Sequence, residues 1–192
     1  MKKLSTSKQM AINMVAAIVS FLIGTGINFV LAPYLVKELG SETYGFIGLA
    51  NNFVQYATIV TSALNSMSGR FISIEYSKGN IDKASRYFSS VLVGDLIIAG
   101  VLLLVSSIIT FNIEFILNVP ENLVDSVKIL FALTFATFII SVITAIFTTA
   151  AFVKNKLYIN SLRDIASNTL KLLLVVILFS FFPAKVSFLA MA

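Results

Sequence analysis

KQMAINMVAAIVSFLIGTGINFVLAPYLVK, from Lys8 to Lys37, carries no charge between its two terminal lysines. A bilayer core about 30 Å thick is crossed by ~20 helical residues rising 1.5 Å each, so this run is long enough to span with tilt to spare. Its apolar core is too long for a cleaved leader and no small-residue cleavage site follows it cleanly; a retained span is expected. Three more such runs follow: Glu42 to Arg70, Arg86 to Glu114 (broken only by Asp95), and Lys128 to Lys154. A fifth is weaker. Its strongly apolar part, Leu172 to Phe182, is too short alone, so the span must begin near Tyr158 to Asp164 and take Lys171 with it. Val186 to Ala192 reads as the start of a sixth.

The expected fold is therefore an all-α membrane protein, a polytopic bundle of about five complete transmembrane helices plus the start of a sixth. The spans are placed at about 10–36, 44–69, 87–111, 129–153 and 160–182, with 186–192 partial. The whole chain, 1–192, forms a single transmembrane lobe. Composition agrees: 58% of residues are apolar and 12% charged, and mean hydropathy is +0.95. Soluble domains carry about 25% charge.

Lysine and arginine set the orientation. Lys2, Lys3, Lys8, Arg70, Lys78, Lys83, Arg86, Lys154, Lys156, Arg163 and Lys171 fall on one side of this topology, and only Lys37, Lys128 and Lys185 on the other. The richer side is expected in the cytoplasm, and the amino terminus with it. The net charge of +5 thus reflects topology rather than a nucleic-acid surface, since the bases punctuate apolar runs instead of clustering. Residues 70–86 are expected as the longest cytoplasmic loop, punctuated by Gly79-Asn80 and carrying a short interfacial helix. Gly40 is placed to end a helix after Leu39, with Ser41 capping the next. Pro120 falls in the outside loop between the third and fourth spans.

The chain has no Cys, His or Trp. Thiol nucleophiles, disulfides, imidazole chemistry and the usual zinc or copper ligands are removed with them. Neither an enzyme nor a metal or other cofactor is expected.

Polar residues inside the spans fall on stripes. In the second span Asn51, Gln55, Thr58, Ser62, Asn65 and Gly69 recur at helical spacing, closed by Arg70. The fourth carries Thr134, Thr137, Ser141, Thr144 and Thr148; the first carries Asn13, Ala17, Ser20, Gly24 and Asn28. Unsatisfied amides facing lipid cost several kcal/mol each, on the order of a lost hydrogen bond in hydrocarbon, so these faces must point inward. Small and hydroxyl residues suit helix packing, which is the reading for the fourth span. Three amides on one face exceed what packing needs, which makes the second span the wall of a water-lined cavity. Asp95 is either a proton or cation site or the partner of an intramembrane base, or else a carboxylate near the interface, hydrated or paired with a loop cation. Lys171, on one face with Asn160, Asp164 and Asn168, either snorkels to the cytoplasmic interface or lines a cavity and draws an anionic headgroup. Arg70 either grips phosphate bidentately or marks the inner edge of its span.

The segment LVKELGSETYGFIGL, Leu35 to Leu49, resembles the first outside loop of bacterial polysaccharide and O-antigen flippases of the multidrug/oligosaccharidyl-lipid/polysaccharide exporter superfamily. The Leu39-Gly40 and Tyr44-Gly45 pairs carry the likeness, and TSALNSMSGRFIS (Thr61 to Ser73) followed by KASRYFSSVL (Lys83 to Leu92) resembles that family's second span and first long inside loop. Asn28, before the outside loop, also fits. The resemblance runs from about Asn13 to the end. It implies two lobes of six helices each, rocking around a central cavity in the bacterial cytoplasmic membrane and moving a polyprenyl-diphosphate-linked oligosaccharide to the outer leaflet. By position it makes Arg70 and Lys171 the basic candidates for the diphosphate, and Asn51, Gln55 and Asn65 the candidates for sugar hydroxyls. Asp95 stands where a neutral polar residue is expected in relatives. Its expected partners are the lipid-linked glycan, membrane lipids, and a missing carboxy-terminal lobe or second chain, because the sequence stops within its sixth span. A multidrug and toxin extrusion type cation antiporter and a non-transporting membrane scaffold are the alternatives.

Overall fold

The computed structural model describes residues 6–181, so the expected partial sixth span at 186–192 lies outside the described residues. Apart from short connections the described chain is helical, in the order α1 (Thr6–Leu39), α2 (Ser41–Ser77), α3 (Ile81–Phe111), α4 (Ile113–Ile116), a 3-10 turn (Glu121–Leu123), α5 (Val124–Val153) and α6 (Tyr158–Phe181). Hydrocarbon offers the backbone no hydrogen bonds, and a long uninterrupted helix satisfies its own. Four of these helices are long and apolar enough to cross a membrane: Ser7–Leu39, Ile81–Phe111, the helical stretch Glu121–Val153, and Tyr158–Phe181. Large apolar side chains stand outward, among them Phe21, Phe29, Phe111 and Phe147. A surface this apolar needs lipid around it, and the protein is an all-α, multi-pass membrane protein.

The 37-residue α2 is absent from that set of four because amides and hydroxyls dilute its hydropathy. It nevertheless runs beside α5 along most of its length. Phe46 and Ala50 pack with Val127 and Leu130 near one end. Toward the other end Gly69 meets Thr149, so closely that an added Cβ would lie 3.4 Å from the threonine methyl.

The helices form two groups. In the first, α1 and α6 lie parallel: Asn13 reaches the start of α6, Leu31 and Leu35 pack on Val175, and Tyr34 approaches Phe179 at 6.1 Å. In the second, α2 and α5 run parallel to each other and antiparallel to α3. Phe53 meets Phe131 and Phe135 edge-on at 5.9 and 6.5 Å, contacts worth about 0.5–1.5 kcal/mol each beyond burial. Ile72, Ala84 and Ile146 close the far end of this trio. Helix directions alternate as the runs of charge and apolarity require. The α2–α3 and α5–α6 turns share one end with the start of α1, while the opposite end holds the Glu114–Lys128 ion pair at 3.4 Å.

Two local expectations need correction, and one reading left open is settled. Residues 70–86 are not a long loop with its own interfacial helix. Instead α2 and α3 extend through them, leaving only Lys78, Gly79 and Asn80 between, with Gly79 at φ +81°. No Pro or Gly falls between Arg70 and Ser77, so nothing there breaks the helix. Ser41 does not cap α2: Gly40, at φ +83°, is the N-cap and no side chain caps it, because α1 and α2 abut across a single residue. The first span's polar stripe is a packing face. Asn13 Nδ2 donates to Asn155 Oδ1 at 2.8 Å, Tyr158 N donates to Asn13 Oδ1 at 3.0 Å, and Gly24 brings α1 against Asn168.

Candidate functional site

The two helix groups touch weakly along their length, and between them lies a cavity of about 1510 Å³. That exceeds the roughly 300–1,000 Å³ of pockets for drug-sized ligands. Its walls come from one face each of α2, α5 and α6.

From α2 come Asn51, Thr58, Thr61, Asn65 and Arg70. The helix turns through about 100° per residue, so the spacing of 7, 3 and 4 from Asn51 to Asn65 holds one face toward the cavity, and Arg70 follows at its end. Gln55, expected among them, is exposed and takes no part in the lining; Val54 and Thr58 form the wall at its level. The stripe was drawn by polarity, whereas the wall follows the helix surface and accepts a valine. Thr61, Ser66 and Ser73 are wall residues that a count of amides alone passes over. Thr61 lies four residues before Asn65, and Ser66 and Ser73 are seven apart; that helical spacing is the signal that could have found them.

From α5 come Thr134, Thr137, Ser141 and Thr148. Packing was the expectation for this stripe, and here it is overturned. The face of α5 that packs is the aromatic and branched one, with Phe131, Phe135 and Ile146 buried against α2 and α3. The hydroxyls of Thr137 and Ser141 donate to their own helix at Leu133 O (3.0 Å) and Thr137 O (2.9 Å). They therefore need no neighbouring helix, and keep lone pairs for the cavity.

From α6 come Ser167, Asn168 and Lys171. Of its two readings, Lys171 takes the cavity. Its expected companion Asp164 does not turn toward it but pairs with Arg163 at 3.0 Å. Arg70 lies at the same cavity's edge, nearer the α2–α3 turn. Among the described residues neither Arg70 nor Lys171 has a carboxylate partner, and no Asp or Glu lines the cavity. The wall is thus neutral and hydrogen-bonding except for two uncompensated cations. Such a site favours a ligand that carries negative charge and many hydrogen-bonding groups.

Asp95 is not in the wall. It sits one layer behind, 3% exposed, where α3 packs on α2, and the side chain facing it is Asn65. The hydrated interfacial reading of Asp95 does not fit this burial.

The fold and the cavity define a polytopic helical membrane protein with a basic, amide-rich internal site. Over 175 residues, 91% of the chain, the sequence is 33% identical to a protein of Bacillus subtilis (strain 168) called uncharacterized membrane protein EpsK. The matched region amounts to 35% of that protein, so the chain spans about a third of its relative's length. No protein-family model matches the chain, and no solved structure does.

Proposed function

We propose that the chain is the amino-terminal lobe of a flippase that carries a polyprenyl-diphosphate-linked oligosaccharide across the cytoplasmic membrane for polysaccharide biosynthesis. The observation that carries this reading is the pairing of Arg70 and Lys171 in one large cavity with no acid in its wall. A diphosphate supplies the missing negative charge, and the amides of Asn51, Asn65 and Asn168 supply partners for sugar hydroxyls. The size of the cavity favours a glycan over a small ion. The resemblance of Leu35–Leu49 and Thr61–Leu92 to polysaccharide flippases points the same way, and the EpsK match extends the likeness to a longer membrane protein.

In this reading α2 crosses the bilayer in spite of its polarity, because α5 shields one side and the polar face turns to the cavity. The α2–α3 turn, rich in lysine, faces the cytoplasm together with the amino terminus. Transport is by alternating access, and a second lobe, covalent or separate, closes the cavity from the other side. A cation antiporter of the drug-extrusion type is disfavoured by the basic wall, which would repel its substrates.

Complementation tests this. In a host lacking its own O-antigen or capsule flippase, the chain alone is compared with the chain fused ahead of the portion of Bacillus EpsK that the match does not reach. The fusion restores surface glycan and the chain alone does not. Charge-assisted hydrogen bonds are worth about 1.5–3 kcal/mol, so Arg70→Ala and Lys171→Ala each reduce transport roughly tenfold or more. Failure of an inserted fusion overturns the flippase reading in favour of a membrane scaffold.

A further inference from the structure

A hydroxyl or amide in a membrane helix can spend its hydrogen on a carbonyl of its own helix, and what it then offers a neighbour is a lone pair. The cavity wall does this repeatedly through its middle. On α2, Thr58 Oγ1 donates to Val54 O at 2.8 Å, Thr61 Oγ1 to Thr58 O at 3.2 Å and Ser62 Oγ to Ile59 O at 3.1 Å. On α5, Thr137 and Ser141 do the same. On α6, Asn168 Nδ2 donates to Asp164 O at 2.9 Å. That amide cannot be turned round, because its oxygen would then face a carbonyl. All of these side chains line the one cavity.

The hydroxyls of α2 and α5 also share a depth. The two helices run parallel with Gly69 against Thr149, so Thr61 and Ser141, each eight residues earlier, stand level. At 1.5 Å per residue they lie about 12 Å along the helices from that contact. The middle of the cavity is therefore a belt of hydrogen-bond acceptors whose own donors are already used.

We propose, resting on the flippase reading, that this belt makes the cavity selective for an uncharged glycan: it receives the hydroxyl and N–H donors of neutral sugars and turns away a sugar that carries a carboxylate. A carboxylate only accepts. In the belt it meets lone pairs, and each hydroxyl must give up its bond to its own helix before it can donate to the newcomer. Nor is there charge to compensate it. Arg70 and Lys171 are the only bases lining the cavity among the described residues, and a diphosphate engages both. A carboxylate taken in beside them would be desolvated without a partner, which is costly. A neutral sugar meets no such cost, since each ring hydroxyl can donate to a Thr or Ser oxygen.

Two synthetic probes test this: a short-chain prenyl-diphosphate-linked disaccharide of N-acetylglucosamine, and the same molecule with its terminal C6 oxidised to a carboxylate. Binding of each to the full chain in phospholipid nanodiscs is measured by native mass spectrometry at neutral pH. The neutral probe binds about tenfold tighter or more. Thr137→Val combined with Ser141→Ala shrinks that ratio about threefold or more, as does Thr58→Val with Ser62→Ala should the first pair fail to insert. Thr144 bonds its own helix in the same way but does not line the cavity, so Thr144→Val leaves the ratio unchanged. Equal binding of the two probes, or a preference for the acidic one, overturns the selectivity and leaves the flippase reading standing. Binding of neither overturns the selectivity and the diphosphate site together. A ratio that neither pair of variants moves, or that Thr144→Val moves as much, overturns the assignment to the belt.

Discussion

Glu75 and Asp95 are both buried carboxyls on adjacent antiparallel helices, and they are held in opposite ways. Glu75 lies at the end of α2, beyond the apolar run. Its Oε1 accepts from Lys78 Nζ at 3.2 Å, its Oε2 accepts from Asn80 Nδ2 at 3.0 Å, and Lys83 Nζ stands 3.8 Å away. The hydrogen bond from Asn80, then that from Lys78, holds its carboxyl below the usual carboxylate range. Asp95, about four turns along α3, has one neutral neighbour and an orphaned oxygen. The first arrangement is a staple that closes a three-residue turn. The second has the Asn65 amide as its one neutral partner and no cation beside it. Burial alone therefore separates nothing here; the partner list distinguishes a carboxyl that builds the fold from one free to do chemistry.

Removing the staple is expected to have the larger effect on stability. Glu75→Ala strips the acceptor from Lys78 and Asn80 together and lowers the thermal unfolding temperature in detergent, with the α2–α3 turn losing amide protection first. The pH dependence has a fixed sign. Because the folded value lies below the ordinary 4.5, the contribution is present above that pH and disappears as pH falls through the folded value. The gap between wild type and Glu75→Gln therefore narrows in acid; a gap that widens would break the comparison. Asp95→Leu is expected to be milder. Replacing an unsatisfied buried polar group by an apolar one of similar size is nearly neutral or stabilising, within about 1 kcal/mol. A loss as large as that of Glu75→Ala would show a structural partner for Asp95 and erase the distinction. Smallest of all, Gln55→Ala is expected to change transport by the fusion less than about twofold, since that amide lies outside the wall and surface changes stay near 0.5 kcal/mol. An effect matching Lys171→Ala would return Gln55 to the site.

Much of the site was legible before any coordinates. Lys171 stood out as a cation carried into a span, Arg70 as the base closing the second span's stripe, and Asn51 and Asn65 as amides on one helical face. What misled was polarity used as a guide to direction. Gln55 was counted inward because it is an amide, and the α5 hydroxyls were counted as packing because they are small. Yet a threonine that donates to its own helix is satisfied on any face, so its type carries no information about what it faces. The loop assigned to 70–86 failed for a related reason. Charges there signal departure from the membrane, which ends a span but not a helix.

The sequence by itself determined that the chain crosses a membrane as helices and that their directions alternate, because uncharged runs longer than the bilayer and the punctuating bases are properties of the chain alone. Only the tertiary structure decided which stripe of α5 and α6 looks into the cavity, that Asn65 stands between Asp95 and that cavity, and that Glu75 is clamped. Spacing of 3 and 4 fixes which residues share a face, but a helix can turn about its own axis. Its rotation is settled by what packs on the other side: Phe131, Phe135 and Ile146 took the inner seam with α2 and α3 and left the hydroxyls to the cavity.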